Sequence, residues 1–545
     1  MDTPADNVET ARRRVDATPT DAEALFAFGN ALWWSGERDA GVAALSRAVE
    51  VRPDHAEARN NLGNALVELG RPEEAAPHYR AALAIRPRHA PTLYNLGNAL
   101  LAAGQPAEAE PHFRAALEIL PSHAGALNNL GNALRALGRT EEAAACYRQA
   151  VALRPDAAGS HNNLGSALLA LHRPMEAAEC FMEALRLEPD YAEACNNLGG
   201  TLLALDRLDD AIMLFRRAVS LDPDQVQARF GESLALLALG RFREGWEAYE
   251  SRWLDPRFRE AVRIYETPRW LDARVQKAAG RTILLHSEQG LGDTIQFVRY
   301  APMLRALGAR VVLEAQAPLL PLLQGLADTV IPEGAALPPH DWHCPLLSLP
   351  LLFGTELNSI PAKIPYLRAD RPLRTAWQQR LGPATRPRIG LAFSGSAEHP
   401  EDALRSIPAA LLMPLLTLAE VEIHVVQKDI RPADAEVLRQ VPGVHVHAER
   451  LETFADTAAL LMHMHLIVSV DTSVAHLAGA LGLPVWLLLQ TNADFRWLRS
   501  RSDSPWYPTA RLFRQARPLS WDKELALVAQ ALRAFAGWWA AGKKE

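Results

Sequence analysis

The stretch NNLGNALVELGRPEEAAPHYRAALAIRP, residues 60–87, holds two helical patterns in tandem. Leu62, Leu66 and Leu69 recur at i, i+4 and i+7 and so share one face of a first helix. Gly70, without a Cβ, ends that helix, and Ala75, Tyr79 and Ala82 line a second. Pro87 stops the second helix and turns the chain. Gly63, in the middle of the first helix, leaves room for the second to approach closely. Pro77, and Pro111 one unit later, sit near the start of a second helix, where proline is least disruptive.

The same text recurs. Pro19, Pro53, Pro87, Pro121, Pro155, Pro189 and Pro223 are spaced 34 residues apart, and Gly29, Gly63, Gly97, Gly131, Gly165 and Gly199 keep that step, with Ser233 in the seventh place. This pattern resembles the tetratricopeptide repeat, a helix–turn–helix unit. One pair of helices cannot bury its own apolar face, so the units must stack into a superhelix. One column is not explained by packing. Asn61, Asn95, Asn129, Asn163 and Asn197 precede the leucine of five consecutive repeats, and Asn30, Asn64, Asn98 and Asn132 stand three residues beyond that column, on the same helix face. Asparagine is a mediocre helix former, and its amide both donates and accepts. Two readings stand: the amides line a groove that holds an extended polypeptide by its backbone, or they bridge neighbouring helices within the stack. Over about residues 18–255 the array resembles the repeat domain of protein O-linked N-acetylglucosamine transferases, where an asparagine ladder holds the acceptor.

The totals bound the partners. Forty-nine per cent hydrophobic and 22% charged residues suit a globular chain too long for one core. The net charge of −7 is uneven: residues 1–255 carry 25 Arg, no Lys and 36 acidic residues, whereas the remainder is slightly basic. An acidic helical half argues against nucleic acid. No apolar run reaches the length of a membrane span, and the N-terminal text has no apolar signal segment, so a cytoplasmic protein is expected. Cys146, Cys180, Cys195 and Cys344 lack metal-ligand spacing and read as reduced thiols. His445/His447 and His463/His465 have no third ligand in view, so no metal is expected.

Beyond Trp253 the period ends. Residues 256–280 read as a connector. From Arg281 the grammar becomes strand–loop–helix: a strand before Gly290, RVVLEA, a helix around 318–326, and a short strand at 329–332. A second such series starts at Arg388, with RIGLAFSGS, a helix at 409–419, VEIHVVQKD, HLIVSV and, as the last strand, PVWLLL. Alternation of this kind means parallel sheets covered by helices. The expected architecture is therefore an all-α tetratricopeptide superhelix followed by an α/β GT-B domain of two Rossmann-like lobes. Its parts would be an N-terminal cap at 1–17, seven repeats at 18–255, the connector, lobes at 281–385 and 386–519, and a C-terminal helix at 520–545. Ligands of such sheets bind outside the carboxyl ends of the strands.

Two motifs fall at such ends. In Glu288-Gln289-Gly290-Leu291-Gly292-Asp293-Thr294, the carboxylate of Asp293 starts a helix. It can serve as general base towards a hydroxyl or simply satisfy helix-start N–H groups. In Asp471-Thr472-Ser473-Val474-Ala475-His476, backbone amides open a helix able to bind phosphate; His476 faces either ligand or core. GLGD followed by DTSVAHLAGALGLPVWLLL resembles the glycosyltransferase family that includes lipopolysaccharide heptosyltransferases, and more closely bacterial proteins that fuse tetratricopeptide repeats to such a domain. The resemblance, over about residues 280–515, implies inverting, metal-independent transfer from a nucleotide-diphosphate sugar, with Asp293 as base and Asp471, Thr472, Ser473 and His476 holding the donor. The lysine that the family keeps after the first strand of its second lobe is missing. Arg405 is the available cation, unless it only pairs with Glu401 or Asp402, and Lys428, beside Gln427, is a second candidate. Asp494-Phe495-Arg496-Trp497 reads either as cleft wall or as core and turn.

The expected function is transfer of a sugar to a hydroxyl of a protein acceptor held by the repeats, with the nucleotide sugar as substrate and no cofactor. The alternatives are a transferase acting on glycan or lipopolysaccharide, with the repeats as docking platform, and a non-catalytic scaffold with a degenerate GT-B domain.

Overall fold

The computed structural model describes residues 4–256, 258, 263–271, 275–398 and 402–542. The chain forms two compact units, Met1–Leu205 and Asp206–Glu545. The expected connector and Glu401 fall partly or wholly outside the described residues.

The first unit is all helix. After Pro4–Ala17, helix pairs follow the sequence period, such as Ala56–Glu68 with Pro72–Ile85 and Ala124–Ala136 with Thr140–Leu153. The periodic glycine sets the approach within each pair. A Cβ on Gly63 would lie 2.6 Å from the Tyr79 ring, and one on Gly131 2.5 Å from the Tyr147 ring. Both tyrosines are buried, so the glycine is a socket for an aromatic knob. Proline recurs at the first position of second helices, including Pro72, Pro106 and Pro174, where its missing N–H costs nothing.

The second unit begins with helices Leu208–Leu221, Val226–Ala238 and Phe242–Tyr249 and continues into two parallel sheets. The first holds β1 (Thr282–His286), β2 (Arg310–Ala315), β3 (Thr329–Pro332) and β4 (Trp342–Pro345), in the order β3-β2-β1-β4. The second holds β5 (Arg388–Ala392), β6 (Glu422–Val425), β7 (Val444–Val446), β8 (Leu466–Val470), β9 (Val485–Leu489) and β10 (Ala510–Arg514), in the order β10-β9-β8-β5-β6-β7. Every pairing in both is parallel. Numbered from its own first strand, the second sheet runs 3-2-1-4-5-6, the doubly wound order whose direction reverses between strands one and four. That switch point lies between β5 and β8, where Leu391 pairs with Val468. Helix Asp522–Gly542 covers this sheet, burying Leu525, Val528 and Leu532 in the core formed by Leu391, Val425 and Val468.

Details differ from the sequence reading, in which β4 has no counterpart. PVWLLL is not the last strand: β10 pairs beyond it, Leu512 opposite Leu487. The helix expected at 409–419 is a 3-10 turn, Ala409–Leu412, and one α-turn, Met413–Leu416; Pro414 lacks the N–H a continuous helix would use there. The helix expected around 318–326 shortens to Leu320–Leu323 after a 3-10 turn, again with proline, Pro321, at the break. Among the described residues no helix is long and apolar enough to cross a membrane.

Candidate functional site

The turn after β1 and the turn after β8 meet. Helix Leu291–Phe297 starts at the first and helix Ser473–Ala480 at the second. A Cβ on Gly292 would lie 2.8 Å from His476 Cδ2 and 3.6 Å from Ser473 Cα, so glycine at 292 lets the two turns touch. Gln316, just past β2, braces the first turn: its Nε2 donates to the Gln289 carbonyl at 2.9 Å and its Oε1 accepts from Thr294 Oγ1 at 2.9 Å. The separate motifs GLGD and DTSVAH are thus one site.

Asp293 has two partners. Its Oδ2 accepts the Gly290 N–H at 2.9 Å, the helix-capping role, while its Oδ1 accepts from Arg496 Nη2. The side chain is only 16% exposed. Burial pushes its carboxyl above the ordinary aspartate value, against the pull of Arg496. Asp471, 19% exposed, is pushed up to about 6 by burial and by the neighbouring charge of Asp494. His476 is buried: its Nδ1 lies 3.0 Å from the Tyr507 hydroxyl, its ring stacks on Trp497 at 5.3 Å, and its Nε2 is 3.8 Å from Asp471 Oδ1. Burial beside Arg496 and Arg299 holds it well below the ordinary histidine value, so it is a neutral wedge between the motifs. Thr472 stands at the N-cap of its helix without a side-chain cap, its Oγ1 3.3 Å from Ser469 Oγ. Helix-start amides lacking a side-chain cap suit an anion.

The cations divide. Arg405 lies flat over Gly395, where a Cβ would come within 2.5 Å of its guanidinium. Its Nη1 donates to the Asp471 carbonyl at 3.1 Å, and among the described residues the acid within ion-pair range is Asp402, 3.8 Å from its Nε. The loop after β5 therefore delivers Arg405 to the turn after β8. Lys428 does not join them; its exposed Nζ donates to the Glu452 carbonyl at 3.2 Å. Gln427 is a strut. Its Oε1 accepts the Phe393 and Ser394 N–H groups at 2.7 and 3.2 Å, and its Nε2 donates to Ser394 Oγ and the Asp429 carbonyl at 2.6 and 2.8 Å.

Two cations escaped the sequence reading. Arg496 is buried between Asp293 and Asp494, its Nη1 2.6 Å from Asp494 Oδ2. Arg252, fully buried, pairs with Glu288 through Nε and Nη2 at 2.9 and 3.0 Å and with Glu250 at 2.8 Å. Nothing periodic marks either arginine. The one available signal was placement: Glu288 opens the GLGD motif and Arg496 follows the strand after DTSVAH.

The asparagines form a ladder along the stack. Nδ2 of Asn61, Asn95 and Asn129 donates to Oδ1 of Asn30, Asn64 and Asn98 in the preceding repeat, at 3.0, 2.9 and 2.7 Å. Asn163 and Asn197 reach instead to Asn128 and Asn162, at 3.1 and 3.0 Å. Asn64 and Asn132 also accept from the hydroxyls of Tyr79 and Tyr147, each at 2.7 Å. Bridging between repeats is thus one use of the column. A depression of about 500 Å³ lies elsewhere, lined by residues including Arg241, Glu244, Glu356 and Asn358, and contains none of these groups.

Tetratricopeptide-repeat models match residues 88–156 and, for a second model of the same description, residues 8–90, 162–226 and 209–259. The N-terminal part of the chain is an array of such repeats. Protein FlbA of Caulobacter vibrioides is 30% identical over 333 residues, covering 54% of this chain and 53% of FlbA; the chain spans about half the length of this curated relative. Among solved structures, the tetratricopeptide protein YrrB, described as having an unusual peptide-binding site, is 24% identical, covering 34% of this chain and 96% of YrrB with a TM-score of 0.32. A thermophilic tetratricopeptide protein of Thermus thermophilus is 26% identical, covering 33% of this chain and 99% of its own length, with a TM-score of 0.29.

Proposed function

We propose that the second unit is an inverting, metal-independent glycosyltransferase of GT-B type, and that the repeats hold its polypeptide acceptor. The observation that carries the reading is the meeting, through Gly292, of the turn that bears Asp293 with the start of helix Ser473–Ala480, at the carboxyl ends of β1 and β8. Parallel sheets of this order bind ligands at that level.

In this reading the diphosphate of a nucleotide sugar lies against the amides opening the helix after Thr472, with Arg405 beside it. Arg405 supplies the charge that the missing lysine would have supplied, and a guanidinium forks well onto phosphate oxygens. Asp293 takes the proton of the acceptor hydroxyl as its oxygen attacks the anomeric carbon, and the nucleoside diphosphate leaves from the opposite side, stabilised by those fixed donors. Burial that raises the Asp293 carboxyl makes it a better proton acceptor than an exposed aspartate. His476, neutral and wedged between the motifs, and Gln427, bracing the loop after β5, position the site. The half-buried ladder amides would meet the acceptor backbone: among the described residues, Asn61, Asn163 and Asn197 each spend one N–H on the neighbouring repeat, which leaves a second. Tetratricopeptide arrays commonly bind peptides or partner proteins.

The pairing of Asp293 with both Gly290 and Arg496 favours a second reading, a nucleotide-binding scaffold without catalysis. The test is incubation of the full chain with a panel of labelled nucleotide sugars and candidate protein acceptors. Label should pass from one donor to protein, and Asp293→Ala should lose it by at least about a hundredfold while the folded chain still binds the nucleotide. Nucleotide binding with no transfer from any donor would leave the scaffold reading.

A further inference from the structure

Arg496, from the loop after β9, reaches the Asp293 carboxylate beside the junction of the two turns. Its Nη2 donates to Asp293 and its Nη1 lies 2.6 Å from Asp494. Phe495 and Phe297 flank the guanidinium at 4.7 and 5.7 Å, which fixes its plane. Its Nε, buried, has no hydrogen-bond partner among the described residues, and neither does that of Arg405. A buried N–H of a charged group without a hydrogen bond is costly, and both arginines reach the place where the two turns meet: Arg405 donates to the Asp471 carbonyl, and Arg496 donates to Asp293, whose neighbour Gly292 touches His476.

We propose that Arg496 is a shared cation, for which Asp293 and a phosphate group of the ligand compete. When the fork of Arg496 turns to phosphate oxygens it no longer neutralises Asp293, and the carboxylate is then free to accept a proton. Asp293 and the anion are thereby linked: removing the carboxylate must strengthen phosphate binding by the free energy of the competing pair, and phosphate binding must loosen the carboxylate by the same amount. This rests on the donor-site reading above and adds a role for a residue outside both motifs, one that makes the base available only with the leaving group in place.

The test is a double-mutant cycle on the full chain, with inorganic pyrophosphate as the probe and calorimetry as the readout. Asp293→Asn should bind pyrophosphate about tenfold more tightly than the parent, within the usual range of coupling between sites. In the Arg496→Gln background the same substitution should change binding by less than about twofold, because the shared cation is gone. Thermal unfolding controls for folding. Arg496→Gln strands a buried carboxylate, so the double variant, which removes both charges, is the decisive member, and Arg496→Lys gives a second route: it keeps the charge, loses the fork, and should show a smaller gain. A gain that survives in Arg496→Gln would be a general charge effect and would overturn the proposal, as would equal or weaker binding in Asp293→Asn. If the cycle appears as expected but no nucleotide sugar supports transfer, the transferase reading fails and the shared cation stands. If transfer depends on Asp293 but the cycle shows no coupling, only the role of Arg496 falls.

Discussion

Tyr147 and Tyr249 occupy equivalent places three repeat periods apart, and they do different things. Tyr147 presses its ring on Gly131 and donates its hydroxyl to Asn132 within its own repeat. In the last repeat Ser233 replaces the glycine, and the Tyr249 hydroxyl accepts from Gln289 Nε2 at 3.0 Å while its ring faces Phe495 at 6.0 Å. Three residues on, Arg252 pairs with Glu288. The interior knob is satisfied within its own repeat; the last one supports the turn after β1 and the loop after β9. A repeat becomes part of a site when its knob bonds beyond its own helix pair.

The largest expected effect lies at that contact. Arg252→Met leaves Glu288 buried without its cation and should cost about 3–5 kcal/mol, read as a lower denaturant midpoint of the full chain; Arg139→Met, on an exposed interior-repeat surface, should leave the midpoint nearly unchanged. If both behave alike, the contrast between last and interior repeats is wrong. Next is the socket. Gly131→Ala drives a Cβ into the Tyr147 ring and should destabilise by about 1–3 kcal/mol, whereas Gly159→Ala, where a Cβ meets nothing within 4 Å, should be neutral or stabilising. The site itself carries a pH signature. The Asp471 carboxyl is raised to about 6 in the folded chain, so its protonated form is the one folding favours. That contribution is full below the unfolded aspartate value near 4 and is lost as pH rises through about 6. Asp471→Asn keeps the neutral form, and its stability relative to the parent should rise between pH 4.5 and 7, by an amount on the order of 1 kcal/mol after discounting for residual solvent contact. Smallest is the ladder: Asn129→Ala loses its bonds to Asn98 and Tyr94 and should cost about 1 kcal/mol, seen in thermal unfolding.

The same contrast separates what the residues announced from what they concealed. Gly63, Pro72 and Tyr79 recur, and each copy confirms the last, so the helix pairs could be read to within a residue or two. Strands β1, β2, β5, β8 and β9 are apolar runs bounded by turns, and β3 was legible by position. Strand β10 hid because Arg511 and Arg514 interrupt its apolar pattern and it pairs on one side only. The site was half legible. GLGD and DTSVAH have glycine-turn and helix-start chemistry on their face, and Arg405 could be placed beside them because its loop follows β5. Arg496 could not: its partner Asp293 lies two hundred residues earlier, and only the packing of two sheets brings them together. Lys428, equally well placed in sequence, turns to the Glu452 carbonyl, since the loop after β6 is held by Gln427 from within.

The most direct test of the central claim is a crystal structure of the full chain with a bound nucleoside diphosphate. The account predicts phosphate oxygens within hydrogen-bond distance of the Thr472–Val474 amides and of Arg405, with Asp293 facing the same space. A nucleotide bound elsewhere, for instance in the depression beside Arg241 and Glu356, with the turns at Gly292 and Ser473 still in contact, would contradict it.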